Sequence, residues 1–395
     1  MRRGVLLLPF FLALIVIGVG ISGAGSVIPE IAERFSLPYA LSGRVFFFQG
    51  LGYFLALILG GILGDFVFRG TVLRLGLLLA VLGFLGIAVG SSFSWLLSAF
   101  LVMGVGVGFV DCMVNPVAQS LFPERPGEVL NLIHAFFGLG SLLAPRLYAF
   151  LHTRGYGFQS LYGLVTGLVA VTAGLFFLPF IPRNISAPPG SAVFRAFTRK
   201  AFLLLGGTML LYAAGVSTFN GWLVTYLKGR GLPQVVGAVY LSYFWLGLLV
   251  GRFALASFSE RAGYLTLMRV NALGGALGIA LFLLSGTSSF LAPFLLFFAG
   301  FSLSTLIPLT LTYAMTAFPE ISSTASGWVL FNNGLGTFLF PWLFGFVGGR
   351  FGFAVVLAAV PCALLGVFLF QQLLVWTGRR IPEEKGAVTC ADRRP

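Results

Sequence analysis

The chain has 395 residues, 58% of them hydrophobic and only 9% charged, with a mean hydropathy of +1.01. These values exclude a soluble globular domain and leave a membrane protein. A net charge of +13 would suit nucleic acid, but the basic residues are scattered between apolar runs, so no nucleic-acid partner is expected.

Crossing the hydrocarbon core takes about 20 apolar residues per helix. Twelve stretches meet that length, at 5–29, 40–63, 73–90, 95–119, 129–151 and 158–181, then 201–226, 235–256, 267–286, 290–316, 323–347 and 351–376. The expected fold class is therefore an all-α membrane protein of twelve transmembrane helices. The opening Met-Arg-Arg and its apolar run could be read as a signal peptide, but the run is too long and further spans follow. With the first residue inside, seventeen Lys and Arg fall at inner ends, Arg252 among them. Six fall at outer ends, and Arg146 lies within a span. Positive charge is retained in the cytoplasm, so an inner-membrane protein with both termini cytoplasmic is expected, its basic ends touching anionic lipid headgroups.

Between the second and third spans stands Gly61-Ile62-Leu63-Gly64-Asp65-Phe66-Val67-Phe68-Arg69-Gly70. Asp65 and Arg69 are four residues apart, where opposite charges can pair and gate one state of the half. The fourth span holds Gly104, Gly106 and Gly108, then Asp111 and Asn115-Pro116. No strand precedes these glycines, so they read as a helix-packing face and not as a dinucleotide loop.

Asp111 is the one acid that this reading places deep in a span, and an ionisable group at membrane depth is a functional candidate. It lies about eight residues, roughly 12 Å, from the inner end, and His134 on the returning span is roughly 8 Å deep. Asp111, Asn115, Asn131 and His134 are expected to form one polar cluster, with Asp111 and His134 carrying protons. Arg146 follows Pro145 farther out, placed either to snorkel or to meet an anionic substrate. In the second half, Asn220, Trp222, Asn332 and Asn333 combine amides with an aromatic. In a midplane cavity such groups suit a neutral polyol or sugar.

The chain is written twice. Phe122-Pro123-Glu124 recurs as Phe318-Pro319-Glu320, Gly138-Leu139-Gly140 as Gly334-Leu335-Gly336, and Pro145 as Pro341, all at an offset of 196 residues. This predicts two pseudo-symmetric six-helix bundles, 1–181 and 201–378, joined by a cytoplasmic linker at 182–200 and followed by a tail at 379–395. Cys112, Cys362 and Cys390 have no metal spacing. No nucleophile–base pair or phosphate loop points to an enzyme, and no cofactor is expected. A receptor or scaffold would need an appended domain, for which the spans leave no room.

The duplication and the Gly61–Gly70 loop resemble the major facilitator superfamily. Within it, Gly104-x-Gly106-x-Gly108-x-x-Asp111-x-x-x-Asn115-Pro116, Leu130-Asn131-Leu132 and Phe136 resemble the fucose–proton symporter family and its glucose-transporting relatives. Span seven, from Tyr212 through Val216-Ser217 to Gly221-Trp222, is also similar. The resemblance implies proton-coupled sugar uptake by a monomer, with Asp111 at the family's intramembrane acidic position. The chain departs from the family at three places. Gly25 stands for a first-span acid, Phe137 for an asparagine and Gly215 for a span-seven acid. The rival expectation is export of amphipathic or lipid-like compounds, which the 44 Phe and the missing polar groups favour.

Overall fold

The computed structural model describes residues 7–66, 68–121, 126–178, 200–256, 263–286, 290–318 and 322–376. The first half comprises α1 (Leu8–Arg34), the short α2 (Tyr39–Ser42), α3 (Arg44–Phe66), α4 (Arg69–Val89), α5 (Phe93–Leu121), α6 (Pro126–His152) and α7 (Phe158–Phe176). The second comprises α8 (Lys200–Gly229), α9 (Gln234–Ala256), α10 (Tyr264–Ser285), α11 (Ala292–Leu303), α12 (Leu306–Ala317), α13 (Ser322–Phe351) and α14 (Phe353–Trp376). Among the described residues twelve segments are long and apolar enough to cross a membrane, with α2–α3 and α11–α12 each forming one of them. The linker at 182–199 and the tail from 377 lie outside the described residues.

Two elements differ from expectation, and both turn on proline. The first span was expected to end at Pro29, but α1 continues through it to Arg34. One missing N–H does not stop a helix this well packed. Glu30, expected just outside a span, therefore sits inside one. The tenth span, expected as one helix, is interrupted between Leu303 and Leu306. Pro308 has no N–H to offer the Ser304 carbonyl, which frees that carbonyl and loosens the turn. The Ser304 N–H bonds to Phe301 O at 3.3 Å, three residues back, and a regular bond returns only at Leu309 N to Thr305 O, 3.0 Å.

The repeat seen in sequence is a repeat of helix contacts. A Cβ on Gly104 would lie 2.1 Å from Gln49 O, and one on Gly300, 196 residues later, 1.9 Å from Phe244 O. In each half the helix bearing that glycine crosses its neighbour backbone to backbone, which only glycine permits. Gly140 and Gly336 do the same against Ile15 O and Leu210 O, at 2.2 and 2.6 Å. Nearby, Ser22 Oγ reaches Gly18 O and Ser141 O, while Ser217 Oγ reaches Ala213 O and Gly336 O. These shared contacts explain why the glycines recur although the rest of the sequence has drifted.

The halves meet along a seam of α1 with α8, α6 with α9, and α2–α3 with α13. At the end holding Arg34 and Lys228, here the far end, the seam is tightly shut. The Lys228 ammonium pairs with the Glu33 carboxylate. Gln234 Nε2 donates to Ser26 O at 3.0 Å and to Tyr148 Oη at 2.7 Å. Midway, Phe54 meets Phe331 and Phe338 at 5.2 and 5.3 Å. Toward the other end, which carries the starts of α1 and α8, neither α5 nor α12 packs closely on the opposite half among the described residues.

The crossings make a direct prediction for thermal melting of the purified protein. Gly104→Ala overpacks a backbone contact and should destabilise by about 1–3 kcal/mol. Gly174→Ala, where nothing lies within 4 Å, should leave stability unchanged or slightly raised.

Candidate functional site

Asp111 lies ten residues before the end of α5, about 15 Å along the helix. Its Oδ2 accepts a hydrogen bond from the Tyr53 hydroxyl of α3. The glycine face makes this contact reachable, because a Cβ on Gly108 would stand only 2.7 Å from Tyr53 O. Sequence reasoning missed Tyr53, one tyrosine in an aromatic-rich span. The available signal was chemical, since a buried tyrosine needs a partner for its O–H where phenylalanine needs none. His134 on α6 is within electrostatic reach of Asp111 and also of Arg252. The structure thus brings Asp111 and His134 into one region. The side chains of Asn115, Asn131 and Asp65 lie outside the described residues, and Arg69 begins α4.

Arg252 corrects the charge reading. It was counted among basic residues at inner span ends, yet it turns into the seam between the halves. Its Nη1 donates to His134 O at 3.3 Å, and its guanidinium lies 5.8 Å from the Phe137 ring centroid. Its Nε is buried and has no hydrogen-bond partner. The charge also acts on Tyr212, whose hydroxyl donates to Leu303 O at 3.4 Å, at the break between α11 and α12. Ser304 Oγ at that break is buried and unpartnered too, and it stands against Gly251, the neighbour of Arg252. Asn271 Nδ2 donates to Thr305 Oγ1 at 2.6 Å and ties α10 to the same junction.

The three departures from the sugar-transporter pattern have structural counterparts. A Cβ on Gly25 would be 2.1 Å from Asn220 O, so the α1–α8 crossing leaves no room for a carboxylate. Phe137 supplies the aromatic face beside Arg252 and packs on Trp245 at 6.2 Å. Gly215 faces Val360 and Ala363 at 3.6 Å in an apolar surround.

The remaining candidates are placed apart from Asp111. Arg146 Nε donates to Ser242 Oγ at 2.9 Å, with the guanidinium 5.3 Å from the Tyr243 ring centroid. It thereby bridges α6 to α9, on a stripe it shares with the exposed Leu143 and Phe150. Trp222 is wholly buried, stacks on Phe353 at 4.7 Å and donates its Nε1 to Pro341 O at 2.8 Å. Asn220 Oδ1 accepts from Trp245 Nε1 at 2.9 Å, and Asn332 Nδ2 donates to Trp328 O at 2.8 Å. Asn333 is half-buried on α13, and its main-chain carbonyl accepts from Thr337.

Glu30 is a second enclosed carboxylate, four residues from the far end of α1. Only 18% of its side chain is exposed. It accepts from the Tyr148 hydroxyl at 2.8 Å and the Phe158 N–H at 3.0 and 3.1 Å, and His152 Nδ1 lies 3.9 Å away. The Tyr148 oxygen in turn accepts from Gln234, so this carboxylate anchors the far-end closure.

A family model described as Major Facilitator Superfamily matches residues 10–341. The chain belongs to that superfamily. It is a transporter and not an enzyme. Protein TsgA of Escherichia coli O6:K15:H31 (strain 536 / UPEC) is 27% identical over 298 residues, covering 74% of this chain and 75% of that one. Among solved structures, a mutant of the nucleoside transporter NupG superposes with a TM-score of 0.80 at 15% identity, covering 94% of this chain and 99% of that one. A mutant of the E. coli fucose:proton symporter FucP gives 0.66 at 17% identity, covering 95% and 99%. A bacterial homologue of the human lysosomal transporter Spinster, inward-facing and occupied, gives 0.76 at 16% identity, covering 96% and 98%.

The far-end network can be probed chemically in this transporter. With Glu33→Cys and Lys228→Cys in one chain, a short bifunctional maleimide should join the halves rapidly. Adding Tyr148→Phe removes both the donor to Glu30 and the acceptor for Gln234, and should lower the cross-linking yield severalfold on a denaturing gel.

Proposed function

We propose that the protein is a proton-coupled secondary transporter. It moves a small polar solute, a sugar or similar molecule, across the inner membrane by alternating access of its two halves. The observation that carries this reading is the Tyr53–Asp111 hydrogen bond beside His134, inside a largely apolar bundle. A carboxylate there is costly when charged and cheap when protonated. Loss of its charge lets the dry seam close across it, and ionisation favours the state that admits water. Proton binding therefore selects between arrangements of the halves, which is the requirement for coupling.

The basic residues at the ends of the helices support placing the starts of α1 and α8 in the cytoplasm. With that orientation the shut far end faces outward and the molecule is inward-facing, the state named for the Spinster homologue it overlays. In this scheme Asp111, His134 and Arg252 lie toward the open side, and Glu30, Glu33 and Lys228 hold the closed one. Asn115, Asn131 and Asn333 are retained as solute contacts, and Asp65 with Arg69 as the gate of the first half. Asn220, Trp222 and Asn332 shape the second half through their bonds to Trp245, Pro341 and Trp328.

Export of amphipathic compounds is a second reading, supported by the 44 Phe of the chain. The apolar cavity of about 60 Å³ lined by Leu211, Gly215, Phe340, Phe344 and Val360 is too small to hold such a compound. Proteoliposomes separate the two. One pH unit is worth about 1.4 kcal/mol per proton, enough for about tenfold accumulation in a one-to-one symport. The wild type should concentrate a labelled solute to that extent. Asp111→Asn should abolish accumulation while preserving solute exchange. Gradient-driven uptake that survives Asp111→Asn rules out the proton role, and dye extrusion without solute uptake favours the exporter.

A further inference from the structure

We propose that the transported solute is an anion, a small carboxylate, whose charged group seats on Arg252 beside the break between α11 and α12; this rests on the transporter reading above. A guanidinium offers five N–H donors. Among the described residues Arg252 places one donor on a main-chain carbonyl and rests against an aromatic ring, and its Nε is buried with no partner. No described carboxylate forms an ion pair with it. A guanidinium without a direct ion pair in an apolar seam is expensive, and a carboxylate that also takes up the unpartnered Nε relieves that cost. In a transporter, that carboxylate can come from the cargo.

The surroundings fit a carboxylate better than a neutral polyol. Ser304 Oγ, buried and unpartnered at the break, adds a hydroxyl against Gly251, the residue before Arg252. The Tyr212 hydroxyl stands at the same junction on Leu303 O. By contrast, Asn220 and Asn332 each commit one bond, to Trp245 Nε1 and to the Trp328 carbonyl, which leaves fewer groups for several sugar hydroxyls. Arg146 bonds to Ser242, ten residues before Arg252 on α9, and so belongs to another level of the seam.

Charge balance then couples the two cargoes. With Asp111 ionised, Arg252 cationic and His134 neutral, these three groups together carry no net charge. An arriving carboxylate makes the total −1, and a proton on Asp111 returns it to zero. Anion and proton therefore enter favourably together, and their movement as a pair carries no net charge across the membrane. A neutral sugar moving with a proton would carry one positive charge.

The test uses proteoliposomes of the full chain with labelled gluconate or glucuronate against labelled glucose or fucose. An inward proton gradient is imposed, and the membrane potential is set to zero or to negative inside with potassium and valinomycin. The expected result is accumulation of the acids and not the sugars, at a rate that the potential leaves unchanged. In protein whose melting profile matches wild type, Arg252→Gln should weaken acid binding about tenfold or more, as loss of a charged hydrogen bond implies. Arg252→Lys, which keeps the charge but loses the fork, should raise KM with little change in kcat, and it serves if the glutamine variant does not fold. Potential-sensitive uptake of glucose or fucose without the acids overturns the anion and leaves the proton-coupled reading standing. Failure of every solute to accumulate overturns both. Acid uptake equal to wild type in folded Arg252→Gln and Arg252→Lys overturns the seat at Arg252.

Discussion

A charge held inside an apolar bundle must be answered by a hydrogen bond, an opposite charge or a proton, and this constraint organises the molecule. Three enclosed charged groups are each answered differently. Glu30 is answered in full by Tyr148 and the Phe158 N–H, and it belongs to the closed end. Asp111 has Tyr53 and stands near His134. Arg252 has a carbonyl and a ring, and keeps a buried Nε unpartnered. The sequence of answers, from saturated to unsatisfied, runs from the lock, through the proposed proton group, to the proposed cargo seat.

Close helix crossings make these placements possible. The glycines that let α5 touch α3 bring the Tyr53 backbone against Gly108, so a tyrosine from one helix reaches an acid on the next. The same crossing in the second half, at Gly300, joins α11 to α9 and brings the broken segment against Gly251, next to Arg252. The two halves therefore share scaffold contacts at an offset of 196 residues but not polar groups. The partner of Asp111 at that offset is Ile307, one residue before Pro308. One half supplies an acid at this level and the other a helix break, so the pseudo-symmetric frame holds an asymmetric site.

The frame was legible in the sequence and the site only partly so. Apolar run lengths located all twelve spans, because hydrocarbon thickness leaves little freedom in length. The repeated glycines were visible because a crossing that admits no Cβ tolerates no other residue. Asp111 stood out for the same kind of reason, as an acid where acids are costly. Arg252 was misjudged because nearness to a span end suggests a solvated charge. Which way it turns depends on α6 and α8, and neither is written in the local sequence. Glu30 was hidden by treating Pro29 as a helix end. Pro308 was in plain view, but whether a proline bends, breaks or merely sits in a helix depends on the neighbours that take up the freed carbonyl.

The central claim is that Asp111, and not the better satisfied Glu30, is the carboxyl group that gains and loses a proton as the transporter works. Difference infrared spectroscopy of the reconstituted protein, stepped from alkaline to acidic pH, reads this directly in the carbonyl stretch of a newly protonated carboxylic acid inside the membrane. A band that vanishes in Asp111→Asn, shifts in Tyr53→Phe as its hydrogen bond is lost, and persists in Glu30→Gln is the predicted result. A band that survives Asp111→Asn unchanged and vanishes in Glu30→Gln would contradict it and move the coupling group to the far end.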